Sequence, residues 1–366
     1  MSVLIIGGGP AGLVLASALA GAGVSVTLVE KDGYSNVRLG EHIGPATIQA
    51  LRAMGLAEAV DVAQHMVCSG IDAWWGSTTP HHTDYLLHPV GFGLNLSRPQ
   101  FDLAIAKVCQ RRGVEILTPA RVVRAKRRSQ EWEVEIESRA SVVQTTAKLV
   151  VDASGRSAVF ARAQGVRSQL GERLAAFIAV GERGPGTQET ASRVIVEATS
   201  IGWWYFAPIA GGRCICMLVA DPKSRTGARV DPRNWWESAL AQTEHVGRHV
   251  APYQRGGEIT VRSTQSRRLE TAHGPGWIAI GDAAMTFDPL SSKGIAKAVG
   301  EGRDAAAAIE LFLRGDQNAL APYASSHLAR YDEYISTRAG YYHLELRWSD
   351  SAFWRERQES RNSSVS

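Results

Sequence analysis

Three glycines and one carboxylate near the start of the chain have the types and the spacing needed to bind a nucleotide. Gly7, Gly9 and Gly12 form the pattern G-x-G-x-x-G. In that pattern the first glycine makes a tight turn, the second lets a pyrophosphate approach the backbone, and the third lets a helix pack closely on a strand. Glu30 lies eighteen positions after Gly12, and a carboxylate there can bind both hydroxyls of an adenosine ribose. These residues predict a site for the ADP half of NAD or FAD.

The glycine pattern needs a strand before it and a helix after it. Val3–Ile6 is a short, unbroken apolar run, which is typical of a buried parallel strand. A helix that begins at Pro10 would present free N–H groups and its positive dipole end to the phosphates. A second apolar strand, from Val24 to Val29, leads directly into Glu30. Together these elements favour a Rossmann-like α/β domain.

Two later segments also place polar residues at the ends of apolar strands. One strand leads into Asp152–Arg156, which has the sequence D-A-S-G-R, and another leads into Gly281 and Asp282. Cofactors in open α/β sheets contact the carboxyl ends of strands, so all three segments can meet one cofactor. A further strand-end acid suits the ribityl chain of a flavin. A helix that begins near Gly294 could stabilise negative charge on the reduced flavin ring. FAD is therefore the better interpretation.

These segments resemble those of the FAD-dependent monooxygenases of the aromatic-hydroxylase type and of the related tryptophan halogenases. The resemblance covers nearly the whole chain. It implies an α/β fold with a Rossmann-like FAD-binding domain (a parallel sheet with a β-meander), an antiparallel-sheet substrate domain and a helical C-terminus. The candidate FAD-binding residues are Gly7, Gly9, Pro10, Ala11, Gly12, Glu30, Lys31, Arg38, Arg98, Asp152, Gly281, Asp282, Pro289, Gly294 and Ile295.

The resemblance assigns roles to part of this set. Arg98 corresponds to the family's phosphate-binding arginine, and Gly281 with Asp282 corresponds to its ribityl-binding motif. The segment Asp288–Ile295 corresponds to the loop that lies along the isoalloxazine. No second G-x-G-x-x-G occurs, so the reductant is expected to be transiently bound NADH or NADPH, or free reduced flavin.

Three further segments resemble flavoproteins that modify or help mature a tryptophan-derived quinone cofactor in a partner amine or amino-acid oxidase or dehydrogenase. They are Arg38–Glu41, Gly202–Pro208 and the aromatic run from Tyr341 to Trp354. This likeness implies hydroxylation of an electron-rich ring, a tryptophan side chain in a partner polypeptide, through a flavin C4a-hydroperoxide. No acid or base is assigned. The candidates that line the substrate site are Glu41, His42, Trp203, Tyr205 and Trp348.

Three alternatives remain open: a tryptophan-type halogenase, a reductase of isoprenoid chains that shares the D-A-S-G-R pattern, and a flavin-binding assembly factor without turnover. A halogenase of this type needs a lysine between flavin and substrate, and no lysine occurs between Lys31 and Lys107. The halogenase signature W-x-W-x-I-P is also altered, because Tyr205 and Ala207 replace its second tryptophan and its isoleucine. Both departures favour hydroxylation.

The composition excludes several classes of protein. A chain of 366 residues with a net charge of +4 and 45% hydrophobic residues fits one large or two intimately joined globular domains. We expect no nucleic-acid partner, and no membrane association because no apolar run is long enough to span a bilayer. The absence of a signal peptide before the glycine pattern predicts a cytoplasmic protein. Four cysteines are too few for a disulfide framework, and no metal site is expected.

The patterns divide the chain into a FAD-binding domain made of three segments and a substrate domain inserted between them. Met66–Trp75 and Thr260–Arg268 are each predicted as one strand, and residues 76–90 as a loop. The predicted boundaries are 1–75 (FAD-binding, first segment), 76–94 (excursion to the substrate domain), 95–169 (FAD-binding, second segment), 170–268 (antiparallel-sheet substrate domain), 269–320 (FAD-binding, third segment) and 321–366 (C-terminal helical region with a polar tail).

Overall fold

The computed structural model of the protein describes residues 3–34, 38–139, 141–186, 192–225 and 231–359. Within these residues, a first sheet of six strands is centred on Val3–Ile6. This strand pairs in parallel with Leu149–Asp152 on one side and with Val26–Val29 on the other. Its residues are all buried, because a strand covered on both faces needs apolar residues throughout. The strand order is His273–Gly274, Trp277–Ala279, Leu149–Asp152, Val3–Ile6, Val26–Val29 and Glu115–Leu117.

Different layers cover the two faces of the first sheet, because successive side chains along a strand point to opposite faces. Val3 and Ile5 pack into a core with three helices, Pro10–Gly21, Arg98–Arg111 and Gly294–Leu313. Leu4 and Ile6 pack into another core with residues of a β-meander. The strands of the meander are Ala120–Arg128, Glu131–Ser138 and Val142–Ala147. The predicted parallel sheet with a meander is confirmed.

A second sheet forms the other half of the fold and has eight strands in the described part of the chain. Its neighbours pair antiparallel, except that Arg193–Thr199 lies parallel to Gly70–Trp74. The predicted antiparallel-sheet layer is confirmed. Its strands follow the order Tyr253–Gln254, Ala175–Arg183, Arg213–Ala220, Gly202–Ile209, Arg193–Thr199, Gly70–Trp74 and His81–Asp84, and Thr260–Ser263 also pairs with Ala175–Arg183.

The two faces of the second sheet are both covered, so Gly202–Ile209 is buried along its whole length. Trp203 and Tyr205 belong to a core that includes C-terminal aromatic residues, among them Tyr342 and Trp354. Trp204 and Phe206 lie in a different core, which is covered by the helices Pro232–Leu240 and Val246–Val250. The aromatic C-terminal run therefore packs against the same face of the sheet as Tyr205.

Three predictions about strands need correction. Met66–Trp75 is two strands in different sheets, since Met66–Cys68 pairs with Gly93–Asn95 whereas Gly70–Trp74 lies in the second sheet. The predicted excursion from the first domain thus begins before residue 75. Residues 76–90 are not all loop, because His81–Asp84 pairs with Gly70–Trp74. All four residues of His81–Asp84 are exposed, so this edge strand has no hydrophobic alternation that could reveal it.

The predicted strand Thr260–Arg268 is also divided. Thr260–Ser263 joins the second sheet, whereas Arg267–Leu269 lies between Ser168–Leu170 and Met285–Thr286 in a small sheet. Another small sheet holds His42–Ile43, Gly93–Asn95 and Met66–Cys68. The remaining short helices and 3₁₀ turns are Pro45–Ala53, Ala57–Val60, Val62–Gln64, Gly155–Ser157, Val159–Ala163, Pro222–Arg225, Gly281–Ala283 and Pro289–Ser291.

The C-terminal part is helical, as predicted, with helices Leu320–Leu344 and Ala352–Glu359. A frayed polar tail is predicted from Arg357 onward, but Arg357 is buried and donates to the backbone carbonyls of Phe353 and Arg173. The rest of the predicted tail, residues 360–366, lies outside the described residues. None of the described helices combines the length and the apolar character needed to cross a bilayer.

Candidate functional site

A cleft of about 410 Å³ is lined by loops at the carboxyl end of the first sheet and by residues of the second sheet. Ala153 and Asp282 line it from the first sheet, and Ala176, Tyr205 and Met217 line it from the second. Nine of the candidate cofactor residues line this cleft, namely Gly9, Pro10, Ala11, Arg38, Arg98, Asp282, Pro289, Gly294 and Ile295. Residues far apart in the chain thus meet in one place, as the sequence predicts.

The glycine loop has the shape that a pyrophosphate requires. A Cβ atom on Gly12 would lie 2.1 Å from the carbonyl oxygen of Gly7, so only glycine allows the helix to pack this closely. A Cβ atom on Gly9 would meet no atom within 4 Å, which leaves open space in front of the backbone. The helix Pro10–Gly21 begins at this point, and its first N–H groups have no partner within the helix. The loop therefore fits the pyrophosphate of FAD.

Four charged side chains of alternating sign lie beside the glycine loop; Glu30, Arg98 and Asp102 are buried, and Arg38 is 22% exposed. Arg38 contacts Glu30 at 3.0 Å and Asp102 at 3.2 Å, and Arg98 contacts Asp102 at 3.1 Å. Arg98 also donates to the carbonyl oxygens of Leu39 and Gly40. Sequence reasoning missed Asp102, although its position four residues after Arg98 on one helix is the spacing of a helical ion pair.

Glu30, the acid assigned to the adenosine ribose, and its neighbour Lys31 do not line the cleft. Glu30 is only 4% exposed, and its oxygens accept from the backbone N–H groups of Gly8 at 2.6 Å and Asp32 at 2.9 Å. The Lys31 side chain is 63% exposed and pairs with Asp32 at 3.7 Å. The contact of Glu30 with the ribose stays a prediction, whereas Lys31 faces solvent.

Asp152 is predicted to bind the cofactor, and the structure gives it a different role. Its side chain is fully buried, and its Oδ2 atom accepts from the backbone N–H groups of Phe160 and Ala161, each at 2.9 Å. Its Oδ1 atom accepts from the backbone N–H and the hydroxyl of Ser154. Oδ2 thus caps the start of the short helix Val159–Ala163, and Oδ1 fixes the loop at Ser154. Asp152 shapes the loop, and the neighbouring Ala153, Gly155 and Arg156 line the cleft in its place.

The predicted ribityl and isoalloxazine residues lie at the other end of the cleft. Gly281 has φ +62°, and its N–H donates to Glu301 at 2.6 Å, which places Asp282 at the cleft. The Asp282 carboxylate contacts Lys297 Nζ at 3.0 Å. The helix Gly294–Leu313 begins beside these residues. The donor set and the helix start fit the ribityl chain and the ring of FAD, and the individual contacts stay predictions.

Glu41 is the acidic side chain of the cleft with the largest change in proton affinity. Burial raises the pKa of Glu41 to about 7, although the Arg98 guanidinium acts in the opposite direction. Its Oε1 atom accepts from the N–H of Gly40 at 3.0 Å. Burial also raises the pKa of Tyr205 well above its ordinary value, so this phenol is neutral. A carboxyl that titrates near pH 7 in a cleft suits proton transfer.

His42 lines the cleft but both of its ring nitrogens are engaged. Its Nδ1 atom lies 2.9 Å from Asn95 Oδ1 and its Nε2 atom lies 2.8 Å from the Tyr85 hydroxyl. Asn95 Nδ2 donates to the carbonyl of Pro208, so Asn95 Oδ1 accepts from Nδ1–H of His42, and Nε2 accepts from Tyr85. Burial lowers the pKa of His42. This neutral imidazole orients its neighbours and is not a free acid or base.

Two of the five substrate-site candidates lie elsewhere. Trp203 is 1% exposed, and its Nε1 atom donates to the hydroxyl of Tyr342 at 3.1 Å. Trp348 stacks with Trp354 at 6.3 Å. Neither side chain lines the cleft: Trp203 is buried in the core between the second sheet and the C-terminal helices, and Trp348 is partly buried at the edge of that core. The prediction for these two tryptophans is wrong.

Sequence reasoning missed Met217, which lines the cleft. Met217 is the direct cross-strand partner of Tyr205, so a correct pairing of these two strands would have placed both side chains on one face.

A second cavity, of about 290 Å³, lies between the helices Gly294–Leu313 and Leu320–Leu344. Phe287 borders both this cavity and the cleft. Lys293 and Lys297 line the second cavity. The Nζ atom of Lys297 donates to the carbonyl of Met285 at 2.6 Å.

Comparisons with known proteins find relatives that are named as FAD-dependent or flavin-dependent. LodB of Marinomonas mediterranea, an FAD-dependent oxidoreductase by name, is 26% identical over 362 residues, which cover 97% of this chain and 96% of LodB. Several other relatives are named halogenases.

Two solved structures share the fold. The myxobacterial chondrochloren halogenase CndH has a TM-score of 0.88 at 23% identity and covers 99% of this chain and 87% of its own. The peptidyl tryptophan dihydroxylase QhpG, described as essential for tryptophylquinone cofactor biogenesis, has a TM-score of 0.77 at 24% identity and covers 98% of this chain and 78% of its own. The FAD binding domain family matches residues 1–336. Since this match spans most of the chain, the protein belongs to the FAD binding domain family and is a flavin-dependent enzyme.

Proposed function

We propose that this protein is an FAD-dependent monooxygenase that hydroxylates an electron-rich aromatic ring, a tryptophan side chain in a partner polypeptide. The observation that carries the choice of hydroxylation is the set of cations in the cleft. Among the described residues that line it, the cations are Arg38, Arg98, Arg156 and Arg262, and no lysine is present. An arginine keeps its proton under all ordinary conditions, so it cannot offer the free amine that the halogenase reaction needs.

Different residues along the cleft would bind different parts of FAD and the substrate. Gly9 and the start of the helix Pro10–Gly21 would hold the pyrophosphate, and Asp282 the ribityl chain. When bound and reduced, FAD supplies the activation of oxygen for transfer of one oxygen atom to the ring. Tyr205, Met217 and Phe287 give the cleft an aromatic and apolar wall, which can position a substrate ring and exclude water.

Glu41 is the residue that we assign to proton transfer. Hydroxylation of an aromatic carbon releases the proton of that carbon, and a carboxylate beside the ring can accept it. The pKa of Glu41, about 7, lets the carboxylate form exist near neutral pH while keeping enough basicity to take the proton.

A polypeptide substrate is supported by two exposed leucines that follow a residue in contact with the cleft-lining His42. Leu86 and Leu87 are 82% and 95% exposed. They directly follow Tyr85, whose hydroxyl bonds to His42 inside the cleft. Exposed apolar residues of this kind suit contact with another polypeptide. The shared fold with a peptidyl tryptophan dihydroxylase supports the same substrate class.

The test supplies the FAD-loaded protein with oxygen, chloride and bromide, and a tryptophan-containing partner polypeptide, with NADH, NADPH or chemically reduced FAD in separate reactions. Mass spectrometry should show the gain of oxygen on a tryptophan of the polypeptide without a halogen isotope pattern. Substrate-stimulated oxidation of NADH or NADPH would identify the direct reductant. Efficient oxidation of free tryptophan with no product on any polypeptide would reject the proposed substrate.

Halogenation is the second candidate because several relatives are named halogenases. The lysines that could serve are Lys293 and Lys297, which line the second cavity. A halogenated product that disappears in Lys293→Met or Lys297→Met would assign the reaction to this route. Tight binding of the partner without oxygen uptake would instead favour an assembly factor without turnover.

A further inference from the structure

Residues Phe287–Pro289, here called the wall segment, separate the cleft from the second cavity. Phe287 borders both spaces and Pro289 lines the cleft. Asp288, between them, is only 1% exposed. A buried carboxylate needs compensating partners, so the contacts of Asp288 decide how the wall segment is held.

Three side chains of one helix hold Asp288. The backbone N–H of Asp288 donates to the Tyr334 hydroxyl at 2.6 Å. The Oδ2 atom of Asp288 accepts from Arg338 Nε at 3.2 Å and from the Tyr342 hydroxyl at 2.7 Å. These three residues are spaced four apart in Leu320–Leu344, so they lie on one face of the helix. In addition, Phe287 stacks on Tyr334 with ring centroids 3.9 Å apart.

Tyr342 also contacts a buried residue of the strand that carries Tyr205. Its hydroxyl accepts from Trp203 Nε1 at 3.1 Å, and Trp203 lies on the same strand and the same face as Tyr205. Trp75 packs edge-on against both the Trp203 and the Tyr342 rings. One hydroxyl therefore links the strand that carries Tyr205 to the wall segment.

We propose that Tyr342 is a positioning residue that fixes the wall segment against the second sheet and thereby sets the width of the FAD cleft. The family match ends at residue 336, so Arg338 and Tyr342 lie beyond the part of the chain that the family defines. The proposal depends on FAD binding and not on the reaction that follows.

The pKa of Asp288 depends on its hydrogen bond from the Tyr342 hydroxyl, so the titration of Asp288 can be used to follow this contact. Burial raises the pKa of Asp288 to about 6, while the hydrogen bonds from Leu290 N–H and Tyr342 and the charge of Arg357 act in the opposite direction. The other groups that face it are Arg338, which also pairs with Glu172, and Tyr334. Loss of the Tyr342 hydroxyl removes a donor to the carboxylate, so the pKa of Asp288 rises further.

The experiment compares Tyr342→Phe with Tyr341→Phe, a matched change at the next residue, whose side chain is 49% exposed. FAD affinity and the visible spectrum of bound FAD are measured between pH 5 and 8. We expect Tyr342→Phe to bind FAD about tenfold more weakly, as for the loss of one hydrogen bond to a charged group. Its spectral transition near pH 6 should move to higher pH, while Tyr341→Phe matches the wild type.

Asp288→Asn provides a second variant if Tyr342→Phe does not fold. It keeps the size of the side chain and removes its titration, so we expect the transition near pH 6 to disappear. An unchanged affinity, spectrum and pH dependence in Tyr342→Phe would overturn the proposal. Equal changes in Tyr341→Phe, or a transition that persists in Asp288→Asn, would also overturn it.

Discussion

The two ends of the cleft are constructed in different ways. At the phosphate end, residues close together in the chain shape the backbone, and Gly12 packs where no larger residue fits. At the ring end, side chains from distant segments line one space, as Glu41, Tyr205 and Phe287 do. A local backbone motif can be recognised from a few adjacent residues. A wall of side chains depends on strand pairing and helix packing across the whole chain, and we expect it to tolerate substitution more readily.

The largest effect should come from the phosphate end. Gly12→Val should purify without FAD and lose roughly 1–3 kcal/mol of unfolding free energy, because its side chain would collide with the Gly7 carbonyl. Gly9→Ala should leave the stability unchanged, since its Cβ meets no atom within 4 Å, and should still weaken FAD binding. Urea denaturation measures the unfolding free energy of each variant, and FAD titration measures its affinity for FAD. If both variants lost the same stability, the proposed difference between Gly12, which allows close packing, and Gly9, which allows the pyrophosphate to approach, would be wrong.

Glu41→Gln tests the chemistry of the ring end. We expect a loss of roughly 100-fold in product formation, which is the lower range for removal of a general base. Wild-type activity should rise as the pH passes about 7, and the variant should lack this rise. If the activity of the variant still rises near pH 7 as in the wild type, the proton transfer belongs to another group.

The stability of the same variant has a defined pH dependence. The folded-state pKa of Glu41 is raised from 4.5 to about 7, so the folded state holds its proton more tightly than the unfolded state. The wild type should lose stability relative to Glu41→Gln as the pH rises between these two values. Chemical denaturation at several pH values measures the difference, and parallel curves would contradict the raised pKa.

Two aspartates at strand ends should behave differently. Asp282→Ala should weaken FAD binding by roughly 1.5–3 kcal/mol, the range for hydrogen bonds to a charged group. Asp152→Ala should instead lower the unfolding free energy by about 1–2 kcal/mol through loss of its helix cap, with a smaller effect on FAD. FAD titration and denaturation of both variants provide the check. Unchanged FAD affinity in Asp282→Ala would remove this residue from the site.

The smallest effect should come from the buried tryptophan. Trp203→Phe removes one hydrogen bond to Tyr342, worth about 1 kcal/mol of stability, and its smaller ring leaves a cavity that adds to this cost. Trp348→Phe, on the partly buried edge of the same core, should cost less. Thermal denaturation compares the two. If Trp203→Phe lost substrate binding at unchanged stability, Trp203 would be part of the substrate site after all.

The sequence predicts the parts of the molecule that depend on local pattern. The strands around Val3–Ile6 and the glycine loop follow from apolar runs and fixed spacing, and the cleft-lining positions of Asp282 and Gly294 follow from strand ends and a helix start. Asp152 fits the same pattern, yet its carboxylate caps the next helix. A strand-end acid can bind a ligand or its own backbone, and sequence spacing does not distinguish the two.

The errors at the ring end have a different cause. Trp203 and Tyr205 have the same alternation and lie on the same face, so the sequence favours a similar role for both. Only the packing of the C-terminal helices covers Trp203 and leaves Tyr205 at the cleft. The strand His81–Asp84 was missed because its residues are all exposed and backbone pairing alone defines it.

The order of strands in the first sheet has a consequence for the synthesis of the protein. The strand Leu149–Asp152 lies between Val3–Ile6 and Trp277–Ala279. The strand Trp277–Ala279 leaves the ribosome long after the glycine loop. The nascent chain therefore carries an exposed apolar strand edge until residue 279 is made, which is a point of aggregation risk. The last residue that lines the cleft is Ala298, so the cleft is complete only after this residue has emerged. FAD is thus expected to load onto the nearly finished chain, and flavin-starved cells should accumulate full-length apoprotein rather than shorter stalled products.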